Sequence, residues 1–535
     1  KKELIDYSFK TNSDTEIIIA AYCKWGVKFV QKINGMFSIA IYDKRKGIIL
    51  LVRDHIGKKP LYYSHSNGCF SFGSEVKALT GLPGVGTKIS KLATNQYFST
   101  GYIGGKHSIY EDILQLSAGH YAIFNIQDYS SLNIKRYWHL PVSDNITNVD
   151  ENELVDELDE LLLNSIKLRM RSDVPIGFFL SGGLDSSLMV AMASKISNTP
   201  LNTFTIEFPN TPNDESEYAG NISSYFSTHH TKHKINEEIL PQVPELIQNL
   251  DQPFADSSFI PTYYLCKEVV KDVKVALSGD GGDELFAGYG QYDSFAWEDS
   301  IRQRYPDCVR FALGRLSTLL PERHRTRSLK RLAYNNCYDG MTAYSSRFFS
   351  FPERAKLLNR GNFALDYPEA EFLNNFIPGV DWLQNICQND FKNYMVDDIL
   401  VKVDRMSMLN SLEVRSPLLD KKIAEFAFTK VPSQLKIKGG TKKYLLKKLA
   451  ARYLPDSFPY ERKAGFGVPL SNWFNTSFTE HLQDLMESTP SEYINKREVD
   501  YYIKMHKLGL SNHSKKLFSI LVWEEWMQSK GKGSF

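Results

Sequence analysis

The stretch Gly177-Phe178-Phe179-Leu180-Ser181-Gly182-Gly183-Leu184-Asp185-Ser186-Ser187 runs from an apolar segment through a glycine pair into the helical pattern Leu188 to Ile196. A buried strand that ends in glycines can turn tightly, and the amides and hydroxyls of Ser186 and Ser187 then meet the positive end of the next helix. That makes an anion cradle. It is not a Walker loop, because the Gly-Lys-Ser/Thr that brings a lysine to a γ-phosphate is missing. A glycine-rich turn that binds nothing is the plain alternative.

A second loop of the same kind follows an apolar run: Ala276-Leu277-Ser278-Gly279-Asp280-Gly281-Gly282-Asp283-Glu284. Carboxylates among glycines that face an anion loop repel it unless a cation joins them. Mg²⁺ carried with ATP is the natural one, since it takes oxygen ligands and is commonly shared between carboxylates and phosphates. Asp185 and Asp283 are the candidate metal ligands. A solvated acidic turn is the alternative. Strands are expected at Ile176–Leu180, Thr203–Phe208 and Val273–Leu277, alternating with helices, so the grammar is that of a parallel sheet with its loops at the strand C-terminal ends.

Upstream the pattern differs. A helix is expected from Asp14 to Trp25 with Ser13 as N-cap, followed by short β-rich runs at Met36–Tyr42, Ile48–Val52, Leu61–Tyr63 and Phe70–Phe72, with Asp43–Gly47 as a hairpin loop. An antiparallel α+β unit is the economical reading. The polar run from Ser143 to Glu153 marks a boundary, so the expected domains are 1–142 and 143–535, the second opening on an acidic helix from Leu154 to Met170. Beyond Ser294 helical patterns dominate, for instance Lys442 to Leu454, and a helical C-terminal part is expected.

Bulk properties fit two or more globular domains, since 535 residues exceed one ordinary core. Lys and Arg number 64 against 62 Asp and Glu, which gives no electrostatic case for a nucleic-acid partner. No apolar stretch approaches the roughly 20 residues that span a bilayer, so no membrane partner and a cytoplasmic location are expected. Six scattered cysteines without a Cys-x-x-Cys pair read as free thiols.

Together the two loops resemble the glutamine-dependent asparagine synthetase family, whose Ser-Gly-Gly-x-Asp-Ser-Ser loop belongs to the N-type ATP pyrophosphatases. The resemblance continues through Thr203–Ile206, Asp214–Ala219, Asp251–Ser258, Asp397–Arg405, Ser411–Pro417 and Arg462–Pro469. It implies an adenine-nucleotide α-hydrolase-like fold and a ligase that adenylates aspartate with ATP and amidates it with ammonia from glutamine, giving asparagine, AMP and pyrophosphate. ATP and pyrophosphate would be held by Ser181, Gly182, Gly183, Asp185, Ser186, Ser187, Ser278 and Gly279, with adenine beside the backbone of Ile206. Lys463 would be the electrostatic catalyst. Asp280 stands where some members carry a Glu important for the intermediate, and Gln252 where Glu is common. Arg405 and Arg415 are candidates for the acceptor carboxylate, because a guanidinium can hold it with two hydrogen bonds; structural ion pairs explain them equally well. Relatives that amidate a surface-polysaccharide sugar acid or close a β-lactam, and a non-catalytic homologue, remain the alternatives. A homodimer is implied.

Thr11–Glu16, Ile33–Phe37, Arg53–Tyr63 and Gly73–Leu79 resemble a class II glutamine amidotransferase domain of the Ntn-hydrolase-like kind. By that resemblance Asp14 binds the α-amino group of glutamine. The family's nucleophile is an N-terminal Cys, and these residues begin at Lys1, so the expectation is a chain that starts inside the domain and uses free ammonia as written. Cys23, on the helix after Asp14, cannot substitute for it.

Overall fold

The computed structural model describes residues 3–531 apart from 145, 148, 209–213, 236, nearly all of 294–347, 360–375, 463–466 and 489–491. Near the N-terminus the helix Asp14–Trp25 forms as expected, with the Ser13 hydroxyl accepting from the Thr15 amide. Seven strands follow: β1 (Ser38–Asp43), β2 (Ile48–Arg53), β3 (Tyr62–Ser66), β4 (Cys69–Gly73), β5 (Leu114–Gln115), β6 (His120–Asn125) and β7 (Leu132–Arg136). They make two antiparallel sheets, ordered β1-β2-β6-β7 and β4-β3-β5. The unbroken run Ile48–Val52 is explained by burial on both faces. Leu50 and Val52 join a core with Ala20, Ala21 and Phe29, whereas Leu51 joins Leu61, Tyr63 and Ala122 on the other side. Each such side chain contributes about 2 kcal/mol through area removed from water.

A parallel sheet follows, built from β8 (Ile176–Phe179), β9 (Asn202–Glu207), β10 (His229–Lys234), β11 (Val275–Leu277) and β12 (Glu413–Arg415) in the order β10-β9-β8-β11-β12. Every neighbouring pair is parallel. Two of these strands have no apolar signature. β10 is His-His-Thr-Lys-His-Lys, an edge strand held by backbone pairing to β9, and β12 is a three-residue edge on β11. The chain moves outward from β8 through β9 to β10 and then returns to β11 on the opposite side of β8. The strand order reverses between β8 and β11, and such a reversal opens a crevice at the strand C-terminal ends.

Helices cover both faces. The helix Glu151–Arg169 starts three residues before the sequence pattern suggests, because the Asp150 carboxylate accepts from the amides of Asn152 and Glu153. From residue 348 onward the described elements are mainly helices, among them Trp382–Lys392, Leu400–Met408, Lys421–Thr429 and Ser514–Gly531. No described helix is long and apolar enough to cross a membrane. Val76, Tyr97 and Phe98 share one core with Trp473, Trp523 and Trp526, so residues that precede the expected boundary pack directly on the C-terminal helices.

Candidate active site

The loops after β8 and β11 touch at the point where the strand order reverses. Gly279 lies so close to the first loop that a Cβ there would come 2.8 Å from the Ser186 amide nitrogen, and one on Gly282 would come 2.5 Å from Asp185 Oδ1. Gly182 adopts φ 73°, and a Cβ there would meet Tyr218 Cβ at 2.6 Å, so both the backbone conformation and the space demand glycine. Ser186 Oγ is 3.0 Å from Ser181 Oγ and accepts from the Ser181 amide at 3.2 Å, which fixes the turn against the first turn of the helix Leu184–Ile196. Gly183 is the N-cap without a side chain, so the amides that open the helix face the cavity.

That cavity measures about 950 Å³ and is lined by both loops. On one side Phe179, Phe204, Ile206 and Leu265 form an apolar slot beside Thr205 and Thr262, fit for a flat heteroaromatic base. Glu215 and Arg462 also line it. Arg462 Nη1 lies 3.2 Å from Glu215 Oε1, and its guanidinium stacks 3.8 Å above the Tyr218 ring. Burial raises the Glu215 carboxyl to about 7 against the opposing pull of Arg462.

The glycine loops bring Asp185 and Asp283 together, with a lysine between them. Lys443 Nζ is 2.5 Å from Asp185 Oδ2 and 3.0 Å from Asp283 Oδ1. Burial opposes its charge, yet the two carboxylates outweigh that and hold the ammonium protonated. Sequence reasoning assigned this residue to a helix running from Lys442. In the structure Ile437–Lys438 and Thr441–Lys442 pair as a short antiparallel ribbon, Lys443 turns into the left-handed region at φ 51°, and the helix begins at Tyr444. The available signal was the Gly439-Gly440 pair just ahead of the helical pattern, which suits the turn of that ribbon.

A second ionic group also lines the cavity. Lys402 Nζ donates to Asp256 Oδ2 at 3.0 Å and to Ser258 Oγ at 2.8 Å. Asp280, on the loop opposite, accepts from Ser278 Oγ at 2.7 Å, and Ser278 Oγ lies 3.0 Å from Ser416 Oγ of the segment after β12. Burial raises the Asp280 carboxyl, while Ser278 and the nearby Lys402 pull it back. Glu284 is buried next to Asp283, which drives its carboxyl up to about 8, and it accepts a hydrogen bond from the Tyr289 hydroxyl. Lys402 and Tyr289 carried no role in the sequence reading, and Glu284 counted only as one of the carboxylates of the acidic loop.

Ser181, Gly183, Asp185, Ser186, Ile206, Ser278, Gly279, Asp280 and Asp283 all line the cavity, and Gly182 and Ser187 belong to the same loop. Lys463 lies outside the described residues. The two candidate acceptor arginines are not on the cavity wall. Arg405 Nη2 donates to Asp251 Oδ2 at 2.9 Å and to the Ser74 carbonyl at 2.9 Å, and Nη1 lies 3.5 Å from Glu75. Asp251 in turn accepts from the amides of Val76 and Lys77. Arg405 therefore joins the N-terminal region to the sheet region. Arg415 is held by Glu413 and by the carbonyls of Arg169 and Arg171. The alternative of structural ion pairing describes both. Asp14 stands exposed at the start of its helix, where its carboxylate accepts from the Thr15 amide.

Among the described residues no group of three or more His, Cys, Asp or Glu side chains could hold a metal by itself. Two facing carboxylates are the protein share expected where phosphates complete the oxygen shell of Mg²⁺.

An asparagine synthase family model matches residues 157–528, and a glutamine amidotransferase domain model matches residues 1–138. Over 528 residues the chain is 31% identical to glutamine-hydrolyzing asparagine synthetase 1 of Bacillus subtilis, covering 97% of this chain and 81% of that one. It is 29% identical over 534 residues to a putative glutamine-hydrolyzing asparagine synthetase of Mycobacterium tuberculosis, with coverage of 97% and 80%. A putative glutamine-hydrolyzing asparagine synthetase 2 of Methanocaldococcus jannaschii is 34% identical over 434 residues, with coverage of 76% and 79%.

Proposed function

The chain belongs to the asparagine synthase family of ATP-using carbon–nitrogen ligases, and we propose that it adenylates aspartate and amidates the acyl-adenylate with ammonia drawn from glutamine or free in solution. An acceptor carboxylate oxygen attacks the α-phosphorus, the bond to the β-phosphate breaks, and pyrophosphate leaves into the cradle of Ser181–Ser187. Ammonia then attacks the acyl carbon, and AMP departs with the oxygen that made the attack. The observation that carries this reading is the contact of two glycine loops, one an anion cradle and the other acidic, at the reversal of the strand order.

The residues divide the work by position. Adenine takes the slot beside Ile206, with Glu215 and Arg462 at its rim. The amides and hydroxyls of Ser181, Gly182, Gly183, Ser186 and Ser187, with Ser278 and Gly279 opposite, receive phosphate oxygens. Asp185 and Asp283 would hold Mg²⁺, which neutralises charge on the pyrophosphate leaving group when bound. Lys463 is the electrostatic catalyst for charge developing on the phosphate and acyl oxygens. For the acceptor we favour Lys402, which lines the cavity, over Arg405 and Arg415, which do not. Lys402, Asp256 and Asp280 put one cation against two carboxylates, an arrangement that suits an acceptor carrying its own ammonium, as aspartate does, better than a sugar acid without one.

In this reading residues 143–535 carry out adenylation and amidation, and residues 1–142 belong to the glutamine amidotransferase domain, with Asp14 on the glutamine amino group. The test is product analysis with Mg-ATP and ammonium across aspartate and other carboxylates, with Lys463→Ala as control. Asparagine, AMP and pyrophosphate in equal amounts, lost in the control, support the reading; amidation of a different acid transfers the same mechanism to that substrate.

A further inference from the structure

Lys443 occupies the place in the cavity where the two candidate metal ligands converge. Its ammonium lies within ion-pair distance of Asp185 and Asp283, and its side chain is only 11% exposed. The contact is built rather than incidental. Lys443 takes a left-handed backbone, uncommon for a residue with a Cβ, and it does so at the junction between the Thr441–Lys442 strand and the helix that begins at Tyr444. Its aliphatic stem crosses Gly288, where a Cβ would overlap both Lys443 Cε and Asp283 Oδ1. Backbone conformation, a glycine gap and two carboxylates from different loops all direct one ammonium to one point.

A divalent ion and this ammonium compete for the same two carboxylates. Without a cation, Asp185 and Asp283 on touching loops repel each other in a partly desolvated site. With Lys443 in place the pair is already neutralised in part, and a metal arriving alone must displace the ammonium from both carboxylates at once. Nucleotide phosphates change that balance, because they bring both oxygen ligands for the metal and acceptors for the lysine. Resting on the reading that the cavity takes Mg-ATP, we propose that Lys443 is a resident counter-cation that holds Asp185 and Asp283 together in the nucleotide-free protein and excludes free divalent metal, so that metal enters only with nucleotide. Lys443 is thus a positioning residue for the two carboxylates before ATP binds.

The test is Mn²⁺ titration of the full chain, followed by the electron paramagnetic resonance of free Mn²⁺, with and without a non-hydrolysable ATP analogue. Without nucleotide the wild type should bind Mn²⁺ weakly and Lys443→Met at least about tenfold more tightly, and adding Asp185→Asn to the variant should remove the gain. With the analogue present, both proteins should retain Mn²⁺. Lys443→Met binding no tighter than wild type while melting as the wild type does overturns the proposal, as does tight nucleotide-free binding by the wild type. Should the methionine variant fail to fold, Lys443→Gln undergoes the same titration, and the wild-type result stands by itself. Loss of Mn²⁺ binding by both proteins even with the analogue would instead overturn the Mg-ATP reading on which the proposal rests.

Discussion

Replacing Arg405 by methionine separates a stabilising role from a substrate-binding one. The side chain is 12% exposed and Asp251, its partner, 5%, so the pair is buried. Removing one partner of a buried pair costs about 3–5 kcal/mol, because the remaining charge is left uncompensated. Asp251 would keep the amides of Val76 and Lys77 as donors, which places the expected loss near the lower bound, about 3 kcal/mol. Urea denaturation reads the loss, and steady-state kinetics with ammonium as nitrogen source read the acceptor KM. Arg405→Met should unfold at lower urea with an acceptor KM within about twofold of wild type, and Asp251→Asn in the same chain should recover much of the deficit, as expected for coupled partners. Unchanged stability with an acceptor KM raised tenfold would refute the reasoning and return Arg405 to the acceptor.

Lys402→Met should raise the acceptor KM about tenfold or more, the worth of one charge-assisted hydrogen bond, while the KM for ATP moves little; the reverse split would move Lys402 to the nucleotide. Gly279→Ala should lower kcat/KM for ATP by about tenfold or more, since a Cβ 2.8 Å from the Ser186 nitrogen forces apart loops whose spacing sets transition-state contacts; pyrophosphate release measures it. Glu284 gives a pH signature. Burial, reinforced by Asp283, raises its carboxyl from 4.5 to about 8 in the folded protein, so the fold keeps a proton that the unfolded chain releases. The resulting stability is fully present below pH 4.5 and is lost as pH rises toward 8, by up to about 1.4 kcal/mol per pH unit within that window. Glu284→Gln should flatten that decline in denaturation midpoints taken from pH 5 to 8, and an unchanged slope would place the titration elsewhere.

The sequence exposed those features that local chemistry imposes. Ser181–Ser187 and Ser278–Asp283 are legible because only glycine can supply the left-handed turn at Gly182 and the close approach at Gly279. The apolar cores of β8, β9 and β11 declared a parallel sheet because both its faces are covered. Edge strands β10 and β12 carry little side-chain signal, since backbone pairing alone defines them. Lys443 was hidden for a different reason: residues from 442 to 454 have helical spacing, and nothing in that spacing shows that one lysine leaves the helix to reach carboxylates more than 150 positions away. For Arg405 and Arg415 the residue type allowed two roles, and the partners that decide between them, Asp251 and the carbonyls of Arg169 and Arg171, lie far along the chain.

The most direct test of the central claim follows the acceptor oxygen. Aspartate labelled with ¹⁸O in its side-chain carboxylate is turned over with Mg-ATP and ammonium, and the phosphorus products are examined by mass spectrometry. Adenylation predicts one ¹⁸O in AMP and none in pyrophosphate, because the attacking oxygen stays on the α-phosphorus when the acyl group passes to ammonia. Label in orthophosphate accompanied by ADP would contradict the account, since it would show attack on the γ-phosphorus and leave the two glycine loops without the role assigned to them.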